Sequence, residues 1–150
     1  MLRLTLRDLR QLCIRYVPRA SRHDNSLNLN TDVSWWYAHE LGHVLTVKHH
    51  AIGLPMFGLD DDADPDMLNV RARRSYELAA MSVSQRLLKA CGRSDLAKME
   101  AMDTDEDTFY FQDRGLVRKI LRASGCLRLP RTRENLEDKI KRCVERPGHG

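Results

Sequence analysis

The chain has 150 residues, of which 42% are apolar and 31% charged, with a net charge of +4. That length predicts one domain with enough apolar material for a core, and no run approaches the roughly 18 apolar residues of a membrane-spanning helix, which excludes an integral helical membrane protein. Charge is uneven: residues 1–23 hold six Arg against one Asp, residues 114–146 hold eleven Lys and Arg against four acidic residues, and two acidic stretches lie between, at 60–66 and 100–107.

Thr5-Leu6-Arg7-Asp8 has the form of a capping box with Asp at its end, and Leu6, Leu9, Leu12, Cys13, Tyr16 and Val17 continue at helical spacing until Pro18. The Arg-rich start could mimic a transit peptide, but the same stretch reads as an ordinary first helix. It lacks the apolar core of a secretory signal. Residues 19–25 read as a polar loop, and Leu27 and Leu29 alternate with polar neighbours, predicting a short strand over 26–30. Thr31 or Asp32 is positioned to cap a helix running to about residue 48. Residues 51–66, with two Gly, two Pro and five Asp, read as a loop.

Asn69 is the expected cap of a long helix that ends near Cys91, with Gly92 as its stop. A short helix over 94–102 follows. Residues 108–112 are ambiguous between strand and helix, a helix over 116–124 stops at Gly125, and a last helix spans about 134–145 after Pro130. The cysteines, Cys13, Cys91, Cys126 and Cys143, form no Cys-x-x-Cys pair. Reduced thiols in a cytoplasmic protein fit them best. The basic ends offer weak support for contact with nucleic acid or an acidic partner, against the ordinary alternative of a solvated, mixed-charge helical surface.

The helix over 32–48 carries His39-Glu40-Leu41-Gly42-His43. Four residues of helix turn by about 400° and rise by about 6 Å, so the two imidazoles project from one face, one turn apart, and can grip one Zn²⁺. Glu40 sits about 100° further round the helix, beside such a metal, where a carboxylate can take a proton from zinc-bound water. Trp35, Trp36, Ala38, Leu41, Val44 and Leu45 make this helix apolar on more than one face, as in a buried helix. Two histidines and a glutamate on a buried helix call for a compensating partner, which a metal supplies. Trp35 and Trp36 suit core or cleft wall, and Tyr37 and Tyr76 suit packing more than catalysis.

A catalytic zinc takes three protein ligands and keeps a fourth position for water. Three candidates exist for the third. Glu77, on the helix after the acidic loop, would complete a His₂Glu site. His49 falls at the metzincin spacing His-Glu-x-x-His-x-x-Gly-x-x-His, with Thr46 where that pattern has its glycine and Met67 as a candidate Met-turn. An Asp within 60–66 is the third, although that stretch lacks the spacing of an EF-hand.

Tyr37-Ala38-His39-Glu40-Leu41-Gly42-His43-Val44-Leu45 resembles the zinc helix of the ImmA/IrrE-type bacterial and phage metallopeptidases, and Glu77, Ala80, Val83, Ser84, Leu87 and Leu88 follow the offsets of that family's second helix. The likeness covers roughly residues 27–90. It implies His39, His43 and Glu77 as zinc ligands and Glu40 as general base. It also implies a peptidase acting on a regulatory protein such as a DNA-binding helix-turn-helix repressor. The expected fold is mainly α, an α+β zincin-like domain with a small, short-stranded sheet and the zinc helix packed on a Glu-bearing second helix. Residues 1–92 would form the metal-binding core and 93–150 a helical extension. Two other functional readings stay beside this one: a metzincin-like peptidase using His49, and a non-catalytic, zinc-stabilised protein-binding module.

Overall fold

A computed structural model describes residues 1–17, 34–46, 65–104 and 113–145, with side chains in the third segment from residue 74 onward. The described residues are mainly helical: α1 (Leu6–Tyr16), α2 (Trp36–Thr46), α3 (Pro65–Ala90), α4 (Ser94–Asp103), α5 (Arg114–Ala123) and α6 (Arg133–Val144), with no strand among them. The strand expected over 26–30 and the ambiguous segment 108–112 lie outside the described residues.

Local chemistry accounts for most of the helix ends. The Thr5 hydroxyl accepts from the Asp8 N–H at 3.1 Å, and the Asp8 carboxylate accepts from the Thr5 N–H at 2.9 Å, which completes the capping box. Asp113 and Thr132 cap α5 and α6 by accepting from the N–H groups of Leu116 and Asn135. Gly92, at φ +68°, closes α3: the Arg93 N–H reaches the Leu88 carbonyl and the Gly92 N–H that of Lys89. This is a Schellman ending, and its left-handed residue favours glycine. Gly125, at φ +71°, ends α5 by the same pattern.

Two helix starts differ from expectation. α3 begins at Pro65, so Asn69 lies inside the helix and does not cap it. Proline has no N–H to leave unpaired and its fixed φ suits the first helical position, so the chain enters the helix from within the acidic stretch. α2 begins at Trp36, since Ser34 and Trp35 form a turn and the Trp35 carbonyl accepts the first helical bond, from the His39 N–H at 3.1 Å. Thr31 and Asp32, the expected caps of this helix, lie outside the described residues.

α3 is the central element. α2, α4 and α5 pack on it, and α6 packs against α1 and α2. One buried cluster joins Leu9 and Leu12 of α1, Leu41 and Leu45 of α2, Val83, Leu87 and Leu88 of α3, Leu96 of α4, Ile120 of α5, and Leu136 and Ile140 of α6. The cluster therefore draws on residues both before and after position 92. Arg133 on α6 donates to Asp8 of α1 at 3.1 Å, and Arg86 on α3 donates to the carbonyls of Cys126 and Leu127 at 2.6 and 2.9 Å. All four cysteines are free thiols. No helix among the described residues is long and apolar enough to cross a membrane.

Gly42 decides how α2 meets α3. A methyl built on it would collide with the Ala80 carbonyl oxygen and stand 3.0 Å from the carbonyl carbon. The two backbones meet at that point because position 42 has no side chain. Gly42 lies between His39 and His43, and Ala80 lies one helical turn after Glu77, so this contact brings the ligand-bearing faces together.

Candidate metal centre

His39 and His43 project from α2 toward Glu77 on α3. The ligand atoms of the three residues all lie within 4.8 Å of one another. The Glu77 Oε2 stands 3.3 Å from His43 Nε2 and 3.6 Å from His39 Nε2, and the two Nε2 atoms are 3.2 Å apart. The site is not sealed. The side chains of His39, His43 and Glu77 are 22%, 27% and 46% exposed. A cavity of about 260 Å³ opens beside them, lined by His39, Glu77, Trp35, Met81, Asp103, Thr104 and the floor residue Glu100. Trp35 meets the His39 ring edge to face, with centroids 5.9 Å apart.

Glu40 follows His39 on α2 and is half-buried. Tyr37 and Tyr76 are buried in the core, as their packing reading anticipates, and burial pushes the Tyr76 hydroxyl up to about 12. His49 and residues 60–64 lie outside the described residues, as do the side chains of Asp66 and Met67. Thr46 is helical and buried, and its hydroxyl donates to the Gly42 carbonyl at 2.9 Å. The course of the chain from Thr46 toward His49 lies outside the described residues.

Glu100 is the functional residue that sequence reasoning missed. It begins the acidic stretch over 100–107, and its side chain is only 1% exposed. One carboxylate oxygen, Oε2, is 3.0 Å from His39 Nδ1 and accepts from the Ser84 hydroxyl at 2.6 Å. The other accepts from the Gln85 side-chain amide, also at 2.6 Å. A signal was available in the sequence: Leu96, Ala97 and Glu100 share one helical face, so the carboxylate lies on the buried side of α4. α4 folds back on α3 and turns that face inward.

The cluster is electrostatically short of positive charge. Burial disfavours the charged His39 ring and is the largest single influence on it. The hydrogen bond and charge of Glu100, with the charges of Glu77 and Glu40, outweigh that burial, and His39 titrates above its ordinary 6.5. Two imidazole nitrogens and a carboxylate oxygen that converge in this way suit either a bound proton or a borderline-soft divalent cation. The donor set would fit a divalent cation such as zinc, held by His39, His43 and Glu77. Comparison of the chain with family models, with curated proteins and with solved structures gives no match, so the site is read from its own chemistry.

Proposed function

We propose that this protein is a zinc-dependent metallopeptidase of the ImmA/IrrE type, with a zincin-like core, in which His39, His43 and Glu77 hold the metal and Glu40 is the general base. The observation that carries this reading is the convergence of the three donors on an open site, with their side chains 22%, 27% and 46% exposed. A purely structural zinc is closed by four protein ligands, whereas a catalytic one keeps an accessible position. The ligand set also ties α2 to α3, which is why a non-catalytic zinc-stabilised module remains the competing reading that the experiment must separate.

Bound zinc supplies Lewis-acid polarisation of a peptide carbonyl and lowers the pKa of a coordinated water toward roughly 7. The protein's own groups do the rest. Glu40 takes the proton from the attacking water and passes it to the leaving amine. Trp35 and Met81 form apolar walls on which an extended substrate segment can rest, while Asp103 and Thr104 give the cavity a polar edge. The substrate class follows from the family resemblance: a regulatory protein such as a helix-turn-helix repressor, cut within one segment and not digested throughout.

The test uses the full chain. Wild type and Glu40→Gln are purified, assayed for zinc content, and each co-expressed with a panel of helix-turn-helix repressors. Equal zinc in both, with cleavage by wild type alone, is the expected result. Cleavage of the repressor by Glu40→Gln at the wild-type rate would show that Glu40 is not the base. Equal zinc with no cleavage by either protein supports the binding module.

A further inference from the structure

We infer that Glu100 is a positioning residue for His39: a carboxylate clamp built across α3 and α4 fixes the tautomer and pose of that imidazole and thereby governs zinc affinity. This rests on the reading of His39, His43 and Glu77 as the metal ligands.

A carboxylate with 1% of its side chain exposed is costly to bury unless donors surround it. Glu100 has three: the hydroxyl of Ser84, the amide of Gln85 and Nδ1 of His39. The Gln85 amide also donates to the Ala97 carbonyl at 2.8 Å. Both of its bonds therefore require the nitrogen on the Glu100 side, and the amide has one orientation. An ionised carboxylate accepts and never donates, so His39 must carry its proton on Nδ1 to join this set. That leaves the lone pair of the neutral ring on Nε2, the atom 3.6 Å from Glu77 and 3.2 Å from His43. The ring cannot turn over without taking its Nδ1–H away from the Glu100 carboxylate.

The clamp depends on the chain reversal at Gly92. The Schellman ending of α3 sends α4 back along it, so Glu100 lies against Ser84 and Gln85, 16 and 15 residues earlier in sequence. His39 is 61 residues from its partner, so only the packed arrangement of α2, α3 and α4 brings the pair together. A hydrogen-bonded carboxylate on the far nitrogen of a ligating histidine makes that ligand more basic and holds it in line with the metal. Loss of such a partner typically weakens metal binding by about 10- to 100-fold.

The experiment measures zinc affinity of the full chain by competition with a chromophoric chelator for wild type, His39→Ala, Glu100→Gln and Ser84→Ala, together with the ¹⁵N shifts of the His39 ring. Expected is a zinc dissociation constant about 10- to 100-fold weaker in Glu100→Gln and a smaller, severalfold weakening in Ser84→Ala, both with native circular dichroism. In wild type the metal-free His39 ring carries its proton on Nδ1, and in the variants the metal-free ring populates both tautomers, a signature that a merely structural residue would not produce. If wild type takes up no zinc, or His39→Ala takes it up equally well, the metal reading itself fails. If wild type binds through His39 but Glu100→Gln stays within threefold of it with an unchanged ring signal, the clamp is refuted and the metal reading stands. Should Glu100→Gln not fold, Ser84→Ala decides: unchanged affinity and ring shifts there refute the clamp.

Discussion

Replacing Gly42 with alanine adds one methyl where the backbone of α2 meets that of α3. The atom it meets is the Ala80 carbonyl oxygen, which is backbone and cannot rotate away. An ordinary carbon–oxygen contact needs about 3.4 Å, so α2 has to move off α3 by about 1 Å. Overpacking of this kind costs about 1–3 kcal/mol, and the better helix propensity of alanine returns about 1 kcal/mol of it. The net expectation is a loss of up to about 2 kcal/mol, read in urea as a midpoint lower by up to about 1 M. The same shift carries His39 and His43 away from Glu77. A metal site tolerates about 0.2 Å in its ligand distances, so zinc affinity should fall by at least about tenfold. Gly115→Ala is the control. That glycine is exposed on α5, and an added methyl there meets only the Asp113 side chain, at 3.4 Å. It should be neutral or stabilise by up to about 1 kcal/mol. A Gly42→Ala protein as stable as wild type, with unchanged zinc affinity, would refute the claim that this contact sets the ligand geometry.

Two further outcomes follow from the fold. Thr5→Ala removes the hydroxyl that accepts from the Asp8 N–H at the start of α1 and should lower global stability by about 1 kcal/mol, because α1 carries Leu9, Leu12 and Cys13 into the core; Thr5→Ser should recover most of it, and identical denaturation curves for all three would contradict the capping account. The Cys91 thiol is pushed up to about 12, first by burial and then by the charge of Asp8, against a smaller opposing influence of Arg93. A raised thiol pKa means less thiolate in the folded state at any pH below it, so peptide-level mass spectrometry should find Cys91 alkylated at pH 8 at least about tenfold more slowly in the native protein than in denaturant. Equal rates would show that the native environment does not suppress the thiolate.

Short-range physics was readable from the residues. His39 and His43 share a face because four residues make just over one helical turn, and the capping box at Thr5 and the stops at Gly92 and Gly125 are local agreements between side chain and backbone. The paired offsets of His39, His43 and Glu77 also suggested two helices to be brought together, though not the distance between them. That distance is tertiary. It depends on Gly42 meeting the Ala80 carbonyl, a contact between segments that local periodicity does not encode. Glu100 shows the same limit more sharply. In sequence it begins an acidic run that suits solvent, and its place on the Leu96–Ala97 face says only that it points inward if α4 packs. The reversal at Gly92 turns that face onto Ser84, Gln85 and His39, where three donors offset the cost of burying the charge. The residues alone determined that His39 and His43 share a face with Glu40 beside them, and left Glu77, His49 and an Asp within 60–66 as candidates for a third donor. Only the packing of α2, α3 and α4 decided which buried carboxylate meets His39, because that partnership joins groups 61 positions apart.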